Sequence, residues 1–361
     1  MSNSYSYIFS RATTPYNSTA PNESTTADMK VRRRLAFARR HQQTLGLQPN
    51  AFLQSPPSPN IFYHPENKKS RQHPFINRLF KDSHTFIGRG IQGMTFVVRT
   101  GPQFDRMVAG LAHKIGRKPN LPPGTPVLLK VMCVPVFAKF LPADTQHEMW
   151  RYVAAYGQHE ARILRHLQSV VPENHLFPKL YVAGANLEHG TYVVAMKFFD
   201  LHTTFWRWSG QGATASATVR MPYFTALMEK ALLLMWYAGI IHTDLHQNNI
   251  LVGNDEDSLV LIDFWMAVCL PRSERAEARR KLGPVIAKLR RGEDVDMQKV
   301  LASVEPVLSR HMDKGGRRSN SMPLRNIYRY WKLNNSSLGA VRRLVWWQPP
   351  KTRSKRPRNE T

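Results

Sequence analysis

Apolar and polar positions along this chain change period several times, and each change marks an element. In HTFIGRGIQGMTFVVRT, residues 84–100, two apolar runs flank a cluster of glycines, which predicts strand, glycine turn, strand. TPVLLKVMCV, residues 125–134, is an apolar run of strand length broken by one lysine, and predicts a buried strand. YGQHEARILRHLQSV, residues 156–170, sets Ile163, Leu164 and Leu167 at helical spacing. KLYVAGANLEHGTYVVAMKFF, residues 179–199, predicts a hairpin with EHG as its turn. After Asp200 the pattern turns helical: MPYFTALMEKALLLMWYAG, residues 221–239, is long, apolar and ends at a glycine, and RSERAEARRKLGPVIAKLRR, residues 272–291, is helical and charged. Strands first and helices later point to two unequal lobes.

Both ends read differently. Residues 2–26 are rich in Ser, Thr and Asn with no hydrophobic period, KVRRRLAFARRHQQ is basic with the makings of a short helix, and QSPPSPN is a proline-rich break. The tail from Gln348 is proline followed by basic residues. The expected division is a disordered basic region over 1–80, a strand-rich part over 81–199, a helical part over 200–345 and a basic tail over 346–361.

Composition narrows the partners. The chain has 361 residues, 42% of them hydrophobic, enough for a core; Lys+Arg 51 against Asp+Glu 25 gives a formal net charge of +26. Such a balance suits nucleic acid, acidic peptides, anionic lipid or polyphosphate ligands, and equally suits solvated tails. The two cysteines, Cys133 and Cys269, form neither a disulfide framework nor a zinc pattern and read as reduced thiols. The longest apolar run, residues 231–241, is too short to span a bilayer, and no signal pattern opens the chain, so a soluble intracellular protein is expected, without membrane partners. KTRSKRPR resembles a nuclear import signal, which makes nucleus or cytoplasm the expected location. The basic segments could also contact nucleic acid, with Trp346 and Trp347 available for stacking or for anchoring a last helix.

Candidate chemistry lies in three places. Gly88, Gly90 and Gly93 make a G-x-G-x-x-G followed by strand, which disfavours a dinucleotide fingerprint. It leaves two readings, a flap over a triphosphate or an ordinary tight hairpin. Lys130 inside an apolar strand either snorkels to an edge or pairs with an anion. Glu160 lies on the apolar face of its helix and is a candidate partner; an H-E-x-x-H metal helix is excluded, because Ile163 holds the second histidine position. In GIIHTDLHQNNILVGNDEDSLVLIDFW, residues 239–265, Asp244, Asn249 and Asp263 sit in an apolar frame. A carboxylate and a carboxamide can share an oxygen-only Mg²⁺ site, and a further aspartate can accept a hydroxyl proton. Asp244 and Asn249 can also be turn formers.

Taken in order, GRGIQG, LLKV, EARILRHL, HTDLHQNN and DFW resemble the motif set of the eukaryotic-type protein kinase superfamily, over residues 87–264. The resemblance implies an α+β, two-lobed fold with a small strand-rich N-lobe and a larger helical C-lobe. It further implies Mg²⁺-dependent transfer of the ATP γ-phosphate to Ser/Thr hydroxyls of protein substrates. By the same resemblance Gly88, Gly90 and Gly93 would cover the phosphates, and Lys130, fixed by Glu160, would hold the α- and β-phosphates. Asp244 would orient and deprotonate the acceptor, and Asn249 and Asp263 would hold magnesium. Met196 would flank the adenine, and the backbone of residues 197–199, Phe198 included, would bond it. His242 would pack under the loop.

The pattern is departed from at Thr243, which replaces an arginine, at His246, which replaces a lysine, and at Trp265, which replaces the glycine of D-F-G; no A-P-E follows. Two other readings of the same fold stand beside the first: a nucleotide-binding pseudokinase scaffold, and a small-molecule phosphotransferase, to which HTDLH is similar. FDRMVAGLAHKIGRKPNLPPG, residues 104–124, reads as an insertion between strands. A degenerate but complete motif set on a basic chain is similar to serine/threonine kinases of large DNA viruses.

Overall fold

The computed structural model describes residues 63–64, 73–81, 83–90, 93–135, 142–172, 175–200, 202–205, 215–242, 244–245, 247–253, 258–296, 299–300 and 303. Among these, the chain is a mixed α/β protein with a six-stranded antiparallel sheet and five helices. The sheet runs β2 (His84–Arg89), β3 (Gly93–Arg99), β5 (Pro126–Met132), β8 (Thr191–Lys197), β7 (Leu180–Asn186), β4 (Ala112–Gly116). Both predicted hairpins are there: β2 and β3 flank the glycine cluster, and β7 and β8 are joined by residues 187–190.

Alternation along β5 sorts its side chains to two faces. Val127, Leu129 and Val131 pack into one core with Phe75, Ile76 and Phe80 of α1 (Pro74–Phe80) and Phe104, Met107 and Val108 of α2 (Pro102–Ala109). Met132, two residues from Lys130, packs into the other core, against α3 (Ala143–Val170) and α4 (Ala215–Tyr237). This second core continues through Ile240 and Ile241 of β10 (Ile240–Ile241), Ile250 and Val252 of β11 (Ile250–Val252), and Leu259 and Leu261 of β12 (Leu259–Leu261) to Leu282 and Ile286 of α5 (Arg272–Arg290). Short pairings complete the chain: β1 (Tyr63–His64) with β6 (Val134–Pro135), β9 (Thr203–Thr204) with β11, and β10 with β13 (Val268–Cys269).

Two expectations change. The region 1–80 was expected to lack structure, yet α1 lies inside it: Pro74 starts the helix and Phe75, Ile76 and Phe80 are buried against the sheet. Seven residues are too short for a periodic signal, and the helix exists because the sheet needs a cover. Residues 104–124, expected as an insertion, supply most of α2 and all of β4, which pairs with β7 and becomes the sheet edge. The remainder of 1–72 and the tail from 304 fall outside the described residues, as do the basic segments at 30–40 and 351–358 and Trp346 and Trp347. No helix among the described residues is long and apolar enough to cross a membrane. Cys133 is buried, Cys269 is exposed, and both are free thiols.

Candidate active site

Sheet register sets the first half of the site. Gly88 pairs with Thr95, Thr95 with Lys130, and Lys130 with Val194, so these four residues form a row across four strands on the face that α3 covers. Directly paired residues share a face, and the row leaves no side chain at Gly88 beside Thr95 and Lys130. Gly157 then lets α3 come close. A Cβ there would lie 2.6 Å from the Tyr192 ring and 3.0 Å from the Met132 side chain. One helical turn later Glu160, 2% exposed, reaches the Lys130 ammonium at 2.7 Å.

The second half comes from residues 240–270. Pairing of β10 with β13 and of β11 with β12 ties both ends of the stretch. Asp244 lies just after β10, and Asn249 ends a short 3-10 helix, Gln247–Asn249. Asn249 is buried and donates its Nδ2 hydrogen to the Asp244 carbonyl at 2.9 Å. The Ile262 N–H donates to the Asn249 carbonyl at 2.9 Å, and His242 Nε2 donates to the Ile262 carbonyl at 2.8 Å. The His242 ring packs edge-on against Phe264, with centroids 4.6 Å apart. His242 thus packs against residues 262–264. Asp263, next to this frame, pairs directly with the Lys130 ammonium.

Lys130, Glu160 and Asp263 therefore meet although 133 residues separate the first from the last. Burial pulls the Lys130 ammonium down, but the Asp263 and Glu160 carboxylates outweigh it and hold it above its ordinary value. Burial pushes Glu160 up, against the pull of Lys130. Asp244 feels the same cluster: burial, then the Asp263 carboxylate, raise it from 3.8 to about 7, against Lys130 and a hydrogen bond from Asn249. Two carboxylates pair with one ammonium here, and a third, Asp244, lies in their field. Ionised together they leave negative charge in excess, an arrangement that favours a further cation.

The donor set fits a hard cation bound partly by ligand oxygens. Asn249 commits its nitrogen end to Asp244, which leaves the amide oxygen as its acceptor, and Asp263 already takes a cation in the form of Lys130. Among the described residues no group of three or more His, Cys, Asp or Glu could hold a metal ion by itself. A site with two protein oxygens, completed by phosphate and water, is the usual arrangement for Mg²⁺.

The remaining sequence candidates divide. Met196, 5% exposed, lies two residues past Val194 on β8 and so on the Lys130 face. Phe198 and Phe199 follow the end of β8. The Lys197 N–H is taken by the Lys179 carbonyl at 2.8 Å, so of residues 197–199 it is not a donor for a ligand. Gly90 and Gly93 differ in a testable way. A Cβ on Gly93 would fall 2.3 Å from the Val131 carbonyl oxygen, while one on Gly90 meets nothing nearer than 4.0 Å. Gly93 serves the β3–β5 approach, so Gly93→Ala should lower stability by about 1–3 kcal/mol in urea unfolding. Gly90→Ala should leave stability within about 0.5 kcal/mol of wild type. Thr243 and His246, and the loop tip Ile91 and Gln92, fall outside the described residues.

Sequence reasoning missed Tyr156, His159 and the ring of Trp265. His159 Nε2 donates to the Ala267 carbonyl at 2.6 Å, and Tyr156 and Trp265 meet edge to face at 5.2 Å. The signal was there: Tyr156, His159, Glu160 and Ile163 fall on one helical stripe. No protein-family model matches the chain, and no curated protein matches it.

Proposed function

We propose that this protein is an ATP-dependent phosphotransferase with a two-lobed, kinase-like fold, acting on Ser/Thr hydroxyls of proteins. The observation that carries the reading is the meeting of Lys130, Glu160 and Asp263, with Asp244 and Asn249 in the same electrostatic field. Phosphoryl transfer needs little covalent chemistry from a protein and much positioning and charge neutralisation. Lys130, held charged by two carboxylates, suits the phosphates of a nucleotide; on binding it would exchange part of its Asp263 contact for phosphate oxygen. Asp263 and the amide oxygen of Asn249 would hold Mg²⁺, which when bound neutralises charge on the phosphates. Asp244, raised to about 7, is a base matched to neutral pH: it can take the proton of an acceptor hydroxyl without being so weak that it never holds it. The row from Gly88 to Lys130 supports a flap of backbone over the phosphates.

The full-length chain is incubated with Mg-ATP and mixed cellular protein, and separately with a panel of sugar and aminoglycoside acceptors. Phosphorylated products are read by mass spectrometry against the Asp263→Asn variant. Phosphoserine and phosphothreonine formed by wild type and reduced at least about 100-fold in the variant is the expected result. Products confined to small acceptors would move the assignment to a small-molecule phosphotransferase. Nucleotide binding with no product at all would make this a scaffold.

A further inference from the structure

The phosphotransferase reading uses Glu160 but not the two aromatic residues just before it on α3. Tyr156, His159 and Glu160 stand at i, i+3 and i+4 along the helix and so form one stripe. Each takes hold of a different residue of the segment that follows Asp263. Glu160 feels the Phe264 N–H, which favours its charged form. Tyr156 meets the Trp265 ring at 84°. His159, 6% exposed, donates to the Ala267 carbonyl. The segment is also closed on itself, since the Ala267 N–H donates to the Phe264 carbonyl at 3.0 Å.

The grip matters because of the backbone it holds. Asp263 has φ 70 and ψ 58, in the left-handed region. Aspartate is among the few residues with a Cβ that visit this region, at a modest cost that its surroundings must offset. In the motif this stretch resembles, the second residue after the aspartate is glycine; here it is Trp265, whose ring is anchored on Tyr156. Backbone freedom at that position is replaced by a side-chain contact.

We propose that Tyr156 and His159 are positioning residues that clamp residues 263–267 to α3, so that the Asp263 carboxylate and the Glu160 carboxylate move as one unit around Lys130. Glu160 acts on Lys130 directly, while Tyr156 and His159 act through the turn. The catalytic meaning of the clamp rests on the phosphotransferase reading; its mechanical meaning does not. A phosphate on the segment after Asp263 is then unnecessary for ordering the turn, because α3 already orders it.

The test uses the full chain and four variants. His159→Leu removes the donor at similar volume and His159→Gln keeps one. Trp265→Gly removes the ring and Trp265→Phe keeps one. Amide hydrogen exchange is followed over residues 263–267, with β5 and β8 as internal reference. His159→Leu and Trp265→Gly are expected to speed exchange of the Phe264 and Ala267 amides about tenfold or more with the reference strands unchanged, and the two conservative variants to stay within about threefold of wild type. In phosphate transfer, the Mg²⁺ concentration for half-maximal rate is expected to rise about tenfold in the first pair, with the KM for ATP at saturating Mg²⁺ within about threefold. Exchange equal to wild type in His159→Leu and Trp265→Gly overturns the clamp, as does exchange that rises evenly through the sheet. If wild type transfers no phosphate, the exchange result still decides the clamp, and the phosphotransferase reading fails separately.

Discussion

At pH 8, Asp244→Asn is expected to melt higher than wild type in metal-free buffer and, when Mg-ATP is supplied, to transfer phosphate at least about 1,000-fold more slowly. The two effects share one cause. Asp244 is raised from 3.8 to about 7, first by burial and then by the Asp263 carboxylate. The folded state therefore holds this proton more tightly than the unfolded chain does. Stability from that proton is fully present below pH 4, declines as pH rises between the two values, and is gone above about 7. At pH 8 the folded protein carries an ionised carboxylate in a partly buried, negatively charged place. An amide of the same shape removes that cost, which is worth about 1–3 kcal/mol, or several degrees in Tm. The gain should shrink steadily as the pH is lowered towards 4. Melting curves at pH 4, 6 and 8 check it, and a variant that melts lower than wild type at pH 8 would contradict the assigned environment. For activity, an ionised Asp244 is required, so kcat/KM should rise with pH through about 7 in the free enzyme.

Lys130→Met should do the opposite to stability. It leaves Glu160, 2% exposed, and Asp263 facing each other without their ammonium. Removing one partner of a buried ion pair costs more than the pair itself contributes, because the remaining charge stays desolvated. The expected loss is about 3–5 kcal/mol at pH 7.5 by urea unfolding. Lys130→Met/Glu160→Gln should recover about 1–3 kcal/mol of it, since the amide has no charge to strand. The deficit of the single variant should also fall in acid, where Glu160 takes up a proton. Nucleotide-dependent phosphate transfer should be lost in both variants. A single variant within about 1 kcal/mol of wild type would mean that the ammonium is not the group that compensates these carboxylates.

The identities of the helices and strands were largely legible because each is written within a short window. The glycine cluster between two apolar runs became the β2–β3 hairpin, and Ile163, Leu164 and Leu167 became the buried face of α3. Lengths were less legible: α3 begins at Ala143, well before the stretch whose spacing announced it. Residues 143–155 carry Trp150, Val153 and Ala154 towards the core among polar neighbours, a weaker alternation. The edge strand β4 was not legible at all. Ala112, His113 and Lys114 have no apolar period, and the strand forms because β7 offers it a ladder of unpaired backbone groups.

The candidate site divides in the same way. By itself the sequence determined which groups are present, in what order, and that Lys130, Glu160, Asp244, Asn249 and Asp263 each sit in an apolar setting where a charge or amide needs a partner. Tertiary structure alone decided who the partners are. Gly157 admits α3 close enough for Glu160 to reach Lys130, Asp263 shares that ammonium, and Tyr156 and His159 hold the turn behind it. The physical reason is range. Periodicity and turn chemistry act over a few residues, whereas a contact across 133 residues depends on how close helix and sheet can pack. That approach is a joint property of Tyr192, Met132 and Gly157, which lie on separate strands and a helix and share no sequence window.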